Sequence, residues 1–129
     1  MDSNNKKRIL VVDNESSFTH LLKLNLEQTG GYEVKEENDA KRILASTLEF
    51  KPDLVLLDIM MPGTSGAHAA AQLKENERLK NIPVVFVTAM VSKQETTSQG
   101  GIIGGNFFVA KPVGTRELVD CIEKQLGRG

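Results

Sequence analysis

The stretch Lys51-Pro-Asp-Leu-Val-Leu-Leu-Asp-Ile-Met-Met-Pro-Gly-Thr-Ser-Gly66 decides the fold of this chain. It contains an unbroken aliphatic run, Leu54 to Leu57, bounded by Pro52 on one side and by Pro62-Gly63 on the other. A short apolar run between such breakers predicts a strand buried on both faces, which is typical of a parallel sheet. Asp58 then lies at the carboxyl end of this strand. In open α/β sheets, ligands bind at that edge.

The composition is that of one globular domain without a polyanionic partner. A chain of 129 residues can bury one core without metals or disulfides. Sixteen basic and 17 acidic side chains give a net charge of −1, so no strong field favours nucleic acid or an anionic membrane. The single cysteine, Cys121, excludes an internal disulfide, and the chain start lacks a signal-peptide segment. We expect a cytoplasmic protein with a disordered leader over residues 1–7 and a single domain over residues 8–129, with no output domain in this chain.

Four further segments are predicted to be strands, namely 8–12, 32–36, 84–88 and 106–110. Three of them are largely apolar, whereas Tyr32-Glu-Val-Lys-Glu36 alternates apolar and polar residues, as expected of an edge strand. Asp13 follows the first strand, Thr88 ends the fourth, and Lys111 follows the fifth. Polar side chains are thus expected at four strand ends, including Asp58.

Helical spacing is present between the strands. The first helix, Ser16 to about Gln28, is expected to end at Gly30-Gly31, and Asn38 or Asp39 can cap the second. A third helix is expected from Gly66 to about Glu77, and Thr115 can cap the last one. The predicted buried stripes are Phe18, Leu21, Leu22 and Leu26; Ala40, Ile43, Leu44, Thr47 and Leu48; the small residues Ala67, Ala70 and Ala71; and Leu118, Val119, Ile122 and Leu126.

The fourth helix is the least regular. Ser92-Lys-Gln-Glu95 matches a capping box. The segment that it opens contains glycines at 100, 101, 104 and 105, each of which costs a helix about 1 kcal/mol relative to alanine. We expect this helix to be short or mobile.

The alternation of strands and helices predicts an α/β fold of the flavodoxin-like (βα)5 type. This fold is a doubly wound, five-stranded parallel sheet with strand order 2-1-3-4-5 and helices on both faces. Its geometry brings Asp13, Asp58, Thr88 and Lys111 to one edge of the sheet. We therefore expect a site there.

The residue types at this edge suit phosphoryl transfer. Two neighbouring carboxylates repel each other unless a cation lies between them, and hard oxygen ligands suit Mg²⁺ (or Mn²⁺). A lysine and a hydroxyl nearby can hold phosphoryl oxygens, where the transition state concentrates its charge. Asp58 is then the expected nucleophile, because a carboxylate can form an acyl phosphate without a general base.

The chain resembles the receiver domains of response regulators, the CheY-like phosphoacceptor modules of two-component signalling. The resemblance covers residues 8 to 126 and is carried by four motifs in the family's order: Ile9-Leu-Val-Val-Asp-Asn-Glu15, Leu54 to Gly66, Val87-Thr-Ala89 and Phe108-Val-Ala-Lys-Pro112. It implies a phosphoprotein of a phosphorelay whose Asp58 is phosphorylated by a sensor histidine kinase, a phosphotransfer protein or a small phosphodonor. It also implies that the domain is not an enzyme beyond its own phosphoryl transfer and dephosphorylation.

The resemblance assigns further roles residue by residue. Asp13, Asp58 and the backbone carbonyl of Met60 are expected to hold Mg²⁺, and Thr88, Lys111 and the Ala89 amide to contact the phosphoryl group. Phe108 falls at the position of the family's switch aromatic and is expected to move with Thr88. The expected output surface, formed by the fourth helix, the fifth strand and the fifth helix, is also where a homodimer would form. The output partner is unknown, and neither nucleic acid nor a membrane is a direct partner.

One departure from the family pattern leaves two functions open. The family usually has a second acid where this chain has Asn14, a neutral oxygen ligand, so we expect weaker metal binding; Glu15 is a candidate substitute. The alternative is a pseudo-receiver that binds a partner independently of phosphorylation. A phosphatase with an aspartyl nucleophile is disfavoured, because such enzymes carry a second acid where Met60 stands here.

The two methionines near the site, the two histidines and the cysteine are expected to have no catalytic or metal-binding side chain. Met60 and Met90 flank the site, and their apolar side chains would screen an acyl phosphate from water, which predicts slow self-dephosphorylation. His20 and His68 lack ligand spacing and are expected at the surface, and Cys121 is expected to be structural.

Overall fold

The computed structural model describes residues 6–61, 64–88, 102–103, 106–110 and 114–127. Within them, five strands form one parallel sheet: β1 (Lys7–Val12), β2 (Tyr32–Glu37), β3 (Leu54–Leu57), β4 (Val84–Thr88) and β5 (Asn106–Ala110). Their order is β2-β1-β3-β4-β5, which confirms the predicted winding. A two-residue strand, Ile102–Ile103, pairs antiparallel with β5 at the outer edge.

The helices begin close to the predicted positions. They are α1 (Ser16–Gln28), α2 (Ile43–Phe50, entered through a 3₁₀ turn at Ala40–Arg42), α3 (Gly66–Lys74) and a C-terminal helix (Thr115–Gln125). α3 ends at Lys74 rather than near Glu77. The predicted capping box at 92–95 lies outside the described residues. Ile102–Ile103 is a strand, so the prediction of a glycine-rich helix through 100–105 is wrong at these two residues.

Both faces of the sheet are buried, because successive side chains of β1 and β3 point to opposite sides. One face packs against α1 and the C-terminal helix, and the other packs against α2 and α3. The first core includes Ile9, Val11, Leu54, Leu56, Leu22, Leu26, Leu118 and Ile122. The second includes Leu10, Val12, Val55, Leu57, Ile43 and Leu73. Helices therefore cover both faces, as predicted.

The amino end of β1 is joined to α2 by polar contacts. Arg8 donates from Nε and one terminal nitrogen to the Phe50 carbonyl, at 2.9 and 2.6 Å, and lies over the Phe50 ring.

Two helices end close to a residue with a positive φ. α2 ends at Lys51, which has a φ of 54° and therefore a left-handed conformation, although it is not glycine. Gly30 has a φ of 88° just beyond α1, which confirms the predicted stop.

Several predicted burial and capping assignments are wrong. Leu21 is 53% exposed and Leu48 is 37% exposed. Each lies at the edge of the apolar stripe of its helix, and neither belongs to a core cluster of the described residues. In α3 the buried alanine is Ala69, whereas Ala67 and Ala71 are exposed. The C-terminal helix is capped by Gly114 in an extended conformation, and Thr115 is already helical.

No helix in the described part of the chain is long and apolar enough to cross a bilayer.

Candidate functional site

The two predicted acidic residues lie side by side at one edge of the sheet. Val12 of β1 pairs with Leu57 of β3, so Asp13 and Asp58 are the next residues of two neighbouring parallel strands. The Asp58 amide donates to the Val12 carbonyl at 3.1 Å, which extends the pairing to the site. Asp13 is 1% exposed and Asp58 is 7% exposed. Both line one small recess, with a floor formed by Val11, Val12, Phe18, Leu22, Leu56, Leu57 and Val87.

Two buried carboxylates at an apolar recess suit a hard divalent cation. Both side chains supply oxygen ligands to the same recess, where a cation can lie between them. Mg²⁺ binds proteins through one or two carboxylates and retains several waters, so this donor set fits it. Among the residues that the structure describes, no group of three or more His, Cys, Asp or Glu side chains could hold a metal. The fit therefore depends on the Asp13 and Asp58 pair.

Asp13 is held through its backbone and its side chain. Its amide donates to the Glu37 carbonyl at 3.1 Å, and its own carbonyl accepts from Asn38 Nδ2 at 2.8 Å. Its Oδ1 accepts from the Glu15 amide at 2.9 Å, a short-range turn that aspartate favours. These three contacts fix both the peptide planes and the carboxylate.

Asp58 is held by a close backbone approach at Gly66. The Gly66 amide donates to the Ile59 carbonyl at 2.8 Å. A Cβ at Gly66 would lie 2.2 Å from the Asp58 carbonyl oxygen and 2.5 Å from the Ile59 Cα. Only glycine fits this position. Between the two residues the chain folds back, and Met60–Met61 pairs antiparallel with Thr64–Ser65.

The remaining predicted site residues are described to different extents. Thr88 ends β4 and pairs with Ala110, the residue before Lys111, so its backbone lies at the predicted edge. Phe108 lies within β5 and pairs with Phe86. The side chains of Thr88 and Phe108 are outside the described set, as are Ala89, Met90 and Lys111 altogether. Their roles, and that of the Met60 carbonyl, stay predictions.

The residues around the family's second acidic position face solvent. Asn14 and Glu15 are both exposed beside the buried Asp13. Whether either side chain joins a metal shell stays a prediction. His20 and His68 are exposed, as predicted. Cys121 is partly buried against the core, and this desolvation raises the pKa of its thiol, although Lys124 opposes the shift.

Sequence reasoning missed three residues that shape the site. Sequence patterns assign no site role to Gly66 or Thr19, and they indicate only a helix cap for Asn38. Asp39 takes the cap role by accepting from the Lys41 amide at 3.0 Å. Asn38 was detectable in principle, because it follows β2 directly and the end of β2 lies beside the end of β1.

Comparisons with known proteins agree with the fold. A family model described as "Response regulator receiver domain" matches residues 9–123. The chain is 37% identical over 122 residues to the phosphate regulon transcriptional regulatory protein PhoB of Pseudomonas aeruginosa, covering 95% of this chain and 52% of that protein. It is 32% identical to the polar-differentiation response regulator DivK of Brucella anthropi, covering 95% of this chain and 97% of that protein.

Solved structures show the same architecture. A putative response regulator from Chloroflexus aurantiacus superposes with a TM-score of 0.79 at 25% identity, covering 95% of this chain and 99% of that one. A CheY-like receiver domain protein from Methanospirillum hungatei gives 0.76 at 28% identity, with 95% and 94% covered. The chain spans about half the length of PhoB and nearly the whole of DivK.

Proposed function

Because the chain belongs to the family of response regulator receiver domains, whose general role is to accept a phosphoryl group and signal, we propose that Asp58 is its phosphoacceptor. The donor is the phosphohistidine of a sensor histidine kinase or of a phosphotransfer protein, and the reaction depends on Mg²⁺. The protein acts as a signalling switch and not as an enzyme with a separate substrate.

One observation carries this proposal. Asp58 and Asp13 end neighbouring strands, both are buried, and both line the same recess. Aspartate is rarely buried to this extent in a protein core. Buried acidic pairs are expected at sites that bind a cation together with a reacting anion.

The chemistry follows from the two carboxylates. An oxygen of Asp58 attacks the phosphorus, the phosphorus–nitrogen bond of the donor breaks, and its electron pair returns to the imidazole nitrogen. The ionised carboxylate needs no general base. Asp13, Asp58 and the Met60 carbonyl are the proposed protein ligands of Mg²⁺, with Asn14 as a further candidate. When bound, the cation would neutralise charge on the phosphoryl oxygens. Thr88, Lys111 and the Ala89 amide are proposed to contact the same oxygens.

The proposed signal leaves through the surface around β5. Thr88 moves toward the phosphoryl group, and Phe108 turns inward as the space beside Thr88 changes. Thr88 pairs with Ala110, so the reacting edge lies next to β5. An output partner, or a second copy of the chain, then binds the changed surface.

The direct test is the intact mass of the protein after incubation with acetyl phosphate, with and without Mg²⁺. We expect a gain of one phosphoryl group that requires Mg²⁺ and is lost in Asp58→Asn. Asp120→Asn, which removes an exposed carboxylate from the C-terminal helix, is the matched control and should be phosphorylated like the wild type.

The same experiment separates the alternative function. A folded wild-type protein that gains no phosphoryl mass, beside a reference receiver that does, would refute the switch. The pseudo-receiver would then explain the data, because exposed, neutral Asn14 replaces the usual second acid. Retained phosphorylation in Asp58→Asn would instead place the phosphoacceptor elsewhere.

A further inference from the structure

A chain of hydrogen bonds connects the surface to Asp13. Asn38 Nδ2 lies 2.8 Å from the Asp13 carbonyl and 2.9 Å from Thr19 Oγ1. Thr19 Oγ1 lies 2.8 Å from Glu36 Oε1, and Glu36 Oε2 lies 3.2 Å from His20 Nδ1. Residues of α1 and the end of β2 thus meet at the residue that ends β1.

The direction of each hydrogen bond follows from the donors available. Nδ2 of Asn38 carries two protons, and both face acceptors. The opposite orientation of this amide would place Asn38 Oδ1 against the Asp13 carbonyl oxygen, where no hydrogen bond can form. The Thr19 hydroxyl has one proton. The Glu36 carboxylate is closer than the Ser16 carbonyl, which lies at 3.1 Å, and a charged acceptor gives the stronger bond.

Thr19 is the central member of this chain. It is 0% exposed, yet its hydroxyl both accepts from Asn38 and donates to Glu36. A buried hydroxyl needs such partners, and its removal leaves theirs unpaired. Asn38 is exposed. The position of its amide is therefore set by its two hydrogen bonds, to the Thr19 hydroxyl and to the Asp13 carbonyl, and not by core packing.

We propose that Asn38 and Thr19 are positioning residues for metal binding, which rests on the proposed Mg²⁺-dependent phosphorylation of Asp58. They hold the Asp13 carbonyl, and through it the Asp13 carboxylate, in the geometry that Mg²⁺ requires. Outer-shell hydrogen bonds orient metal ligands in this way. Because Asn14 supplies no charge, this site depends more strongly on having Asp13 fixed before the metal arrives.

The test compares variants that remove or keep the hydrogen bonds. Thr19→Val removes the hydroxyl with little change in volume, Thr19→Ser keeps it, and Asn38→Ala removes the amide. Asn25→Ala on α1 is the matched control. The Mg²⁺ dissociation constant of the unphosphorylated protein is measured by calorimetry, phosphorylation by acetyl phosphate is followed against Mg²⁺ concentration, and thermal unfolding is recorded in EDTA.

We expect Thr19→Val and Asn38→Ala to raise the Mg²⁺ dissociation constant about tenfold, with near wild-type phosphorylation rates restored at saturating Mg²⁺. Thr19→Ser and Asn25→Ala should stay within about twofold of the wild type. A merely structural role would lower the unfolding temperature in EDTA and leave the dissociation constant unchanged, which would overturn the proposal. If Thr19→Val fails to fold, the Mg²⁺ dissociation constant of Asn38→Ala, a substitution at an exposed residue, decides between the two outcomes. A wild type that neither binds Mg²⁺ nor gains phosphoryl mass would refute the proposed function as well.

Discussion

Asp13 and Asp58 end neighbouring strands of one sheet, but they are held in place by different means. Asp13 is fixed by hydrogen bonds that include the Asn38 side chain and the Glu15 and Glu37 backbones. Asp58 is fixed by a backbone contact at Gly66 that has no room for a Cβ. Asp13 has one support from a side chain that can be replaced, Asn38, whereas the placement of Asp58 depends on the absence of a side chain at Gly66.

This difference predicts two kinds of sensitivity. Losing one hydrogen bond leaves the others at Asp13, so substitutions around it should have graded effects. A steric contact between backbones cannot be partly relieved, so a substitution at Gly66 must displace the loop that carries Asp58. The support of Asp13 can therefore be weakened one hydrogen bond at a time, whereas the support of Asp58 is lost with a single substitution.

The largest effect is expected from Gly66→Ala. Its Cβ would lie 2.2 Å from the Asp58 carbonyl oxygen, well inside contact distance, and the nearby atoms are all backbone. We expect the free energy of unfolding to fall by about 3 kcal/mol, because this overpacking cannot be relieved by a rotamer change. Phosphorylation of Asp58 should be lost or severely slowed. Urea denaturation and intact mass after acetyl phosphate treatment measure the two effects.

Gly31→Ala is the matched control for that substitution. A Cβ there would meet only Thr29 Oγ1, at an ordinary 3.9 Å. The free energy of unfolding should change by no more than about 0.5 kcal/mol. Equal destabilisation by the two alanines would show that the contact at Gly66 does not set the position of Asp58.

A second prediction concerns the two acids together. Mg²⁺ bound by the folded protein should raise the free energy of unfolding by about 1.4 kcal/mol at a concentration tenfold above its dissociation constant. Both Asp13→Asn and Asp58→Asn should abolish this gain, since the two carboxylates share one recess. Thermal unfolding with Mg²⁺ and with EDTA measures it. A full Mg²⁺ shift in either variant would mean that the acids do not share a metal.

The smallest effect is expected one step further from Asp13. Ser46 is 0% exposed and donates to Glu37 Oε1, and the Glu37 backbone carbonyl accepts from the Asp13 amide. Ser46→Ala should lower the free energy of unfolding by about 1 kcal/mol, because a buried hydrogen bond is lost. Its phosphorylation rate should stay within about twofold of the wild type, given that the backbone contact remains. Slower phosphorylation of Ser46→Ala without a loss of stability would show that Ser46 of α2 also helps to position Asp13.

The sequence was sufficient to predict the sheet and the pairing of its acids. Apolar runs between breakers located β1 and β3, and the 2-1-3-4-5 order then places Asp13 beside Asp58 without side-chain detail. Periodicity was less informative about burial. It includes Leu21 in the apolar stripe of α1, but how far around a helix burial extends depends on what covers it.

Strand order places Asn38 near Asp13, but local sequence patterns do not show which atoms support either acid. The contact between Asn38 and Asp13 joins residues far apart in sequence, and Asn38 is equally suited to cap a helix. The crowding at Gly66 depends on how closely the start of α3 approaches Asp58 in three dimensions. The pairing that brings β1 beside β3 identifies the neighbours, but not which atoms restrain them.

The central position of β1 has a consequence for synthesis of the chain. Its partners β2 and β3 both lie within the first 57 residues, so three adjacent strands and the helices α1 and α2 leave the ribosome before β4. Until Val84–Thr88 arrives, β3 would present an unpaired and wholly apolar edge. Such an edge is prone to pair with other chains. The nascent protein therefore exposes this apolar edge between the completion of β3 and the emergence of β4.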